Sequence, residues 1–305
     1  MKKFLKKFFV FCIPLLLMWV CIELMYRLVP NNYSFKHQNI GKNFDSQILV
    51  FGNSHSFYGI NPRYFSSNTF NISNISQSLY FDELLFNKYI NDFKDLKTVV
   101  FNVDYFTLST TENDAEDRWR RYFYKEQMHL DVPGISALDL RLYSLTFAPR
   151  FNLTIETIKQ YFKVGTLVEC STKGWRRQDG VNELYNNAEM AKVIANKHED
   201  GSVDFRKNVQ RLKSIIAACN KRNINVILVN MPVTSNYAAN VNQHKLALIT
   251  KECAQLAKIE NVYYLNLFQD NLFQDTDFYD TDHLNSVGAK KCSQLLDGII
   301  ANLKK

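Results

Sequence analysis

The sequence lacks the signatures of several protein classes. None of its six cysteines stands in a C-x-x-C pair, which argues against a zinc site. No basic run interleaves with aromatic residues outside the first seven residues and 173–177, so nucleic-acid binding is not expected. There is no internal repeat and no low-complexity tract. With 305 residues, of which 46% are hydrophobic and 22% charged, the chain is expected to form one large globular domain or two small ones.

The N-terminus has the pattern of a membrane anchor. Four lysines among residues 2–7 precede an apolar run that reaches Tyr26. At about 1.5 Å per residue, residues 8–26 nearly cross a hydrocarbon core of about 30 Å. Lysines before the run orient the N-terminus to the cytoplasm and the remainder outside. No small-x-small cleavage pattern follows, which favours an uncleaved anchor over a signal peptide, and the lysines disfavour a buried core helix.

The rest of the chain alternates between two periodicities. Continuous apolar runs predict parallel strands buried on both faces, and residues at three- and four-residue intervals predict helices between them. The predicted strands are 47–51, 98–103, 225–229 and 262–265, and the predicted helices are 81–93, 205–222, 242–258 and 286–303. This alternation predicts an α/β fold, with chemistry at the carboxyl ends of the strands. We divide the chain into an anchor at 1–30, a polar linker at 31–46, and a domain at 47–305 with an insertion at about 112–201.

A serine follows the first predicted strand directly. Gly52 permits a tight turn, and Ser54 would then open the next helix with its hydroxyl exposed. By itself this is a weak signal, because Gly-Asn-Ser is a common turn.

An Asp and a His lie three residues apart before the last predicted helix. Asp280 can accept the Nδ1–H of His283, which leaves Nε2 free to take a proton from a serine hydroxyl. The alternative is an ordinary start of a helix. In that case Asn285 or Ser286 caps the helix, and the helix dipole favours acidic residues near its N-terminus.

Together these motifs resemble the SGNH (GDSL-like) hydrolase superfamily. The resemblance runs from about residue 47 to the C-terminus and is clearest at Gly52-Asn53-Ser54 and Asp280 to His283. It implies a flavodoxin-like three-layer α/β/α fold, with Ser54 as nucleophile, His283 as base and Asp280 as its orienting partner. It implies no cofactor and no metal.

The remaining family motifs fit less closely. The stretch 71–78 resembles the block whose glycine backbone N–H joins that of the nucleophile in the oxyanion hole, and Ser76 stands in the place of that glycine. The family's Gly-x-Asn-Asp block is absent after the second predicted strand. Asn102, Tyr105 and Thr107 are therefore left open as the third oxyanion donor.

Two further residues are candidates for substrate contact. His55 follows the nucleophile, and since adjacent side chains point apart, a polar surface or substrate-contacting role is favoured over that of a second base. Trp175 lies in the cluster Gly174-Trp175-Arg176-Arg177, which could stack on sugars or bind an anionic polymer. A surface or lid role that needs no ligand is the alternative.

The resemblance to the SGNH superfamily and the predicted N-terminal anchor together suggest a function at the outer face of a membrane. Anchored SGNH proteins with this motif order resemble polysaccharide O-acetyltransferases and D-alanyl-transfer proteins. We therefore expect an acyltransferase or esterase that acts on an envelope glycan, with a membrane acyl exporter as a further partner. A degenerate domain that binds glycan or scaffolds an acyl-export complex is the alternative, and a secreted lipase is a third hypothesis.

Overall fold

The computed structural model describes residues 1–110 and 117–303. The chain forms two compact units, one of Met1–His37 and Glu116–Glu169, the other of Gln38–Ala115 and Cys170–Lys305. The described helices are α1 Lys2–Leu28, α2 Asn32–Ile40, α3 Ser54–Gly59, α4 Leu79–Tyr89, α5 Arg120–Met128, α6 Phe151–Val164, α7 Ala188–His198, α8 Arg206–Asn220, α9 Ser235–Asn240, α10 Gln243–Leu256 and α11 Ser286–Leu303. The described strands are β1 Ile48–Phe51, β2 Thr69–Asn71, β3 Thr98–Asn102, β4 Asn225–Asn230 and β5 Val262–Asn266.

The second unit contains a five-stranded sheet in the order β2-β1-β3-β4-β5, and every neighbouring pair is parallel. The chain order reverses direction between β1 and β3, which makes the carboxyl end of β1 a switch point where ligands bind in open α/β sheets. The predicted α/β fold with a central parallel sheet is confirmed. β2 was not predicted, because its three residues are too few to show a period.

Alternating side chains bury both faces of the sheet. Ile48 and Val50 of β1 belong to a core cluster with Leu296 of α11 on one face. On the other face Phe51 stacks on Phe101 with ring centroids 4.7 Å apart, and Phe86 of α4 packs beside them. Helices thus cover both faces of the sheet.

The first unit begins with α1. It is the one helix among the described residues that is long and apolar enough to cross a membrane, and its most apolar stretch has a mean hydropathy of 2.4. The predicted linker at 31–46 contains a helix instead of a polar break. The side-chain oxygen of Asn31 accepts the backbone N–H groups of Tyr33 and Ser34, and this cap starts α2.

The insertion predicted at about 112–201 is divided between the units. Residues 117–169 belong to the same unit as the N-terminal helix, whereas Cys170 and the residues after it belong to the unit that contains the sheet. α7 therefore belongs to the unit that carries Ser54 and His283.

Candidate active site

The turn after β1 places Ser54 at the start of α3. Gly52 has a φ of 127°, and a Cβ atom there would lie 2.0 Å from the side-chain oxygen of Asn102. Asn53 caps α3, because its side-chain oxygen accepts the N–H of His55 at 2.9 Å. Asn102 holds the turn from β3, donating to that oxygen at 2.8 Å and accepting the Asn53 N–H at 3.2 Å. The turn is thus fixed from the neighbouring strand.

We predict that Gly52→Ala destabilises the protein by about 2 kcal/mol or more, because the new methyl group meets Asn102 and the backbone occupies a region that L-residues avoid. Thermal unfolding of the full chain measures the change. Gly298→Ala is the matched control, since no atom lies within 4 Å of a Cβ at that position in α11, and it should be neutral or stabilising. Equal effects of the two substitutions would contradict the close approach at Gly52.

Asp280 and His283 meet Ser54 in hydrogen-bonding geometry. His283 Nε2 lies 2.8 Å from Ser54 Oγ, and His283 Nδ1 lies 3.0 Å from both carboxylate oxygens of Asp280. Asp280 also accepts the backbone N–H of His283 at 2.8 Å, so one carboxylate orients both the main chain and the ring. The structure therefore brings together the three residues predicted from the two motifs.

Electrostatics at His283 favour its charged form. Burial disfavours protonation, but the carboxylates of Asp280 and Asp282 outweigh it and hold the pKa of His283 above its usual value. Asp282 was not among the predicted site residues, although it lies next to His283 in the sequence. Its carboxylate is 3.5 Å from His283 Nδ1.

Ser54 and His283 open into a pocket of about 220 Å³. Ser76 lines it, and its φ of 53° places the residue in the left-handed region where glycine is favoured. The first N–H groups of a helix have no partner within it, so the Ser54 N–H at the start of α3 can face a ligand. The Ser54 N–H is thus a candidate donor to a developing oxyanion, and Ser76 lines the same pocket.

The three candidates for a third oxyanion donor lie elsewhere. Asn102 is 1% exposed and bonds Asn53 and Asp104. The Tyr105 hydroxyl bonds Glu199 and the backbone N–H of Asn242. The Thr107 hydroxyl accepts the backbone N–H of Asp104 at 3.0 Å. None of the three lines the pocket.

His198 lines the pocket but was not predicted to be functional, since no spacing in the sequence links it to Ser54. Its Nδ1 lies 2.8 Å from the Tyr237 hydroxyl, and burial lowers the pKa of His198 to about 4, so its ring is neutral at pH 7. Tyr58, Tyr185, Lys197 and Thr281 also line the pocket.

His55 lies behind the pocket. It is 3% exposed, with Nε2 3.1 Å from Asp282 and Nδ1 2.8 Å from Asp104. Burial lowers the pKa of His55, but the two carboxylates raise it further, to about 10. His55 is therefore a buried imidazolium, and this placement does not fit the predicted substrate contact.

The donor atoms of His55, Asp282 and His283 lie within 4.8 Å of one another, which is close enough for a shared metal ion. Two of these atoms already have partners, since His55 Nε2 lies 3.1 Å from Asp282 and His283 Nδ1 lies 3.0 Å from Asp280. The cluster is accounted for by its own hydrogen bonds and ion pairs.

We predict that His55→Gln lowers stability most at pH 6. The folded-state pKa of about 10 lies above the usual value of 6.5, so the contribution of the ion pairs is complete below pH 6.5 and is lost as the pH rises through 10. Loss of the cation leaves Asp104 and Asp282 buried without it, at a cost of about 3–5 kcal/mol. Thermal unfolding of both proteins between pH 6 and 10 should show a difference that shrinks with pH. A difference in stability that stays constant with pH would mean that His55 is neutral. His244 is exposed, so His244→Gln serves as the control and should not differ in stability from the wild type.

Comparison with known proteins finds similar solved structures but no related family. No protein-family model matches the chain, and no curated protein matches it. Among solved structures, it is similar to a Bacteroides fragilis protein provisionally named an acylhydrolase, with 12% identity over 85% of this chain and 88% of that one and a TM-score of 0.42. A Streptococcus pneumoniae protein, provisionally described as a platelet activating factor, gives 13% identity over 95% and 99% and a TM-score of 0.42. The function is therefore argued from the geometry of the site.

Proposed function

We propose that the chain is an SGNH-type serine acyl-transfer enzyme with Ser54 as nucleophile, His283 as general base and Asp280 as the carboxylate that orients His283. The observation that carries the proposal is the continuous hydrogen-bonded line from Asp280 through the His283 ring to Ser54 Oγ, at 3.0 and 2.8 Å. This arrangement activates a serine hydroxyl because the base accepts its proton as the oxygen attacks.

The reaction would proceed in two halves. Ser54 Oγ attacks the ester carbonyl while His283 Nε2 takes the hydroxyl proton, and the backbone N–H groups of Ser54 and Ser76 face the oxyanion. The tetrahedral intermediate expels the alcohol, which leaves with the proton held by His283. The acyl group, now on Ser54, is then attacked by a second hydroxyl that His283 deprotonates, and the products are a new ester, or an acid if water attacks, and free Ser54.

The pocket and its surroundings favour a small acyl group and a larger acceptor. A volume of about 220 Å³ suits a short acyl chain, whereas an open groove of about 950 Å³ in the same unit suits several sugar rings. Trp175 lines the groove and donates its indole N–H to the backbone oxygen of Tyr58 at 2.6 Å. Tyr58 lines the catalytic pocket and packs edge-on against His283, so the groove and the pocket adjoin.

The charge of the groove favours an anionic acceptor. Its lining includes four cations and three aromatic rings: Arg63, Lys173, Arg177, Lys290, Tyr64, Phe65 and Trp175. Lys173 bonds two asparagine side chains and Arg177 pairs with Asp179. Arg63 and Lys290 are exposed, and we assign them to the carboxylates or phosphates of an acidic glycan.

The expected location of the domain supports a glycan of the cell envelope as the acceptor. If α1 spans the membrane with its lysines in the cytoplasm, the domain lies outside, where surface polysaccharides and a membrane acyl exporter are available.

A domain that binds glycan or scaffolds an export complex without catalysis is the second candidate. One observation favours it: Asn102, Tyr105 and Thr107 do not line the pocket, so no side chain has been assigned as the third oxyanion donor. Loss of one such donor costs about 2.7–4 kcal/mol of transition-state stabilisation.

We predict that Ser54→Ala and His283→Ala each lower kcat/KM for 4-nitrophenyl acetate by about 10³-fold or more, and Asp280→Asn by about 10²-fold or more. His283 must be neutral to act as base, and its pKa is raised, so the rate should rise with pH through a midpoint above 6.5. Steady-state kinetics of the full chain in detergent between pH 5 and 9 measure both the loss of kcat/KM in the variants and the pH dependence of the rate. The exposed His244→Ala is the control and should match the wild type. A wild type without esterase activity would favour the non-catalytic candidate.

We predict that Arg63→Glu with Lys290→Glu lowers acyl transfer to an acidic polysaccharide by about tenfold, because two attractive charges become repulsive. Hydrolysis of 4-nitrophenyl acetate should not change, since neither residue lines the catalytic pocket. Transfer to a neutral polysaccharide provides a second reference, and Lys213→Glu, an exposed reversal outside the groove, is the matched control. Equal losses with both polysaccharides would contradict an anionic acceptor.

A further inference from the structure

We propose that residues 134–151, which we term the interfacial segment, insert into the outer leaflet of the lipid bilayer beside α1. The proposal rests on the membrane anchor put forward above and is independent of the chemistry at Ser54. The segment contains the 3₁₀ turns Leu140–Leu142 and Leu145–Phe147, ends at the start of α6, and belongs to the same compact unit as α1.

Glu23 provides the first observation. An ionised side chain inside a membrane-spanning run is costly unless polar partners accompany it. The Glu23 carboxylate accepts the hydroxyls of Ser144 and Thr146 at 2.7 and 2.9 Å, and the backbone N–H groups of Leu145 and Thr146 at 3.2 and 3.0 Å. Arg27 adds a contact at 2.5 Å. The partners that let Glu23 lie in an apolar helix therefore come chiefly from the interfacial segment.

Trp19 shows how far along α1 the segment reaches. Its indole N–H donates to Ser144 Oγ at 3.1 Å, and its ring stacks on Phe147 with centroids 6.3 Å apart. Trp19 precedes Arg27 by eight residues, which is about 12 Å along the helix. If Arg27 marks the outer end of the span, Phe147 lies about 12 Å inward from it, at the depth of the outer leaflet.

The segment exposes five large apolar side chains together with Arg141 and Arg150. Arg150 fits a lipid surface if its long side chain extends to the headgroup level, as basic side chains do at membranes. Leu138 is 90% exposed, Leu140 and Phe151 are each 69% exposed, and Tyr143 and Phe147 are 63% and 53% exposed. Five large apolar side chains within fourteen positions form a contiguous stretch that soluble surfaces avoid. Water would be an unfavourable neighbour for this stretch, and hydrocarbon a favourable one.

The charges of the segment are compatible with an interfacial position. Arg141 forms a bidentate pair with Asp139 at 2.8 Å, and the Tyr122 hydroxyl also bonds that carboxylate. Arg27 donates to the backbone oxygen of Tyr143 at 3.0 Å. Tyr side chains and paired or snorkelling Arg side chains are typical of the headgroup level. Lipid therefore fits the segment along its length, from the headgroups to the depth of Phe147.

Photolabelling from the lipid tests this placement. The full chain is placed in nanodiscs of phosphatidylcholine and phosphatidylglycerol that contain a trace of phospholipid with a diazirine in its acyl chain. After irradiation, mass spectrometry locates the adducts. We expect adducts on α1 and on the peptide that contains Leu138 to Phe147, and none on the peptide around Leu272, which is 45% exposed in the other unit and serves as the internal control.

Each result decides the matter. Adducts on α1 alone would show that α1 meets lipid while the segment does not, and would overturn the proposal in favour of a protein partner or water at that surface. Adducts on neither would overturn the anchor as well. A Glu23→Ala variant tests the contact that holds the segment. Loss of the partner of Ser144 and Thr146 should reduce labelling of the segment but not of α1. Unchanged labelling of the segment would overturn the part of the proposal in which Glu23 holds it in the bilayer. Esterase activity is not involved in any of these outcomes.

Discussion

The candidate site depends on a single buried cation. His55 joins Asp104, which follows β3, to Asp282, which precedes His283. The two carboxylates come from distant parts of the chain and would repel each other without the imidazolium between them. His55, the residue after Ser54, therefore links the loop that carries His283 to the carboxyl end of β3. In the same loop His283 lies 2.8 Å from Ser54 Oγ.

The side chains that follow β3 support the turn at Ser54. Asn102 and Asp104 lie at the carboxyl end of β3, where the resemblance to the SGNH family led us to expect a side-chain oxyanion donor. Here Asn102 holds the nucleophile turn through Asn53, and Asp104 neutralises His55. These side chains support the turn from behind instead of lining the pocket. We infer that oxyanion stabilisation depends on the backbone N–H groups of Ser54 and Ser76, which need no side-chain donor.

The sequence predicted those parts of the fold whose determinants are local. Buried parallel strands appear as continuous apolar runs, so four of the five strands were found, and the Asp280 to His283 spacing lies within one loop. β2 was too short to recognise, and α2 depends on the cap at Asn31 more than on a periodic pattern. His55 was assigned to substrate because adjacency in sequence does not reveal burial between two distant carboxylates. Likewise, nothing in the sequence pairs Glu23 with residues 144–146, more than a hundred positions away.

The most direct test of the central claim is to detect the acyl-enzyme itself. The full chain is mixed with an excess of 4-nitrophenyl acetate, quenched in acid within the first turnovers, digested and examined by mass spectrometry. We predict one acetyl group on the peptide that contains Ser54 in the wild type, and none on that peptide in Ser54→Ala. Ester turnover with an unmodified Ser54 peptide and equal activity in Ser54→Ala would contradict the account, because the hydroxyl beside His283 would then not be the nucleophile.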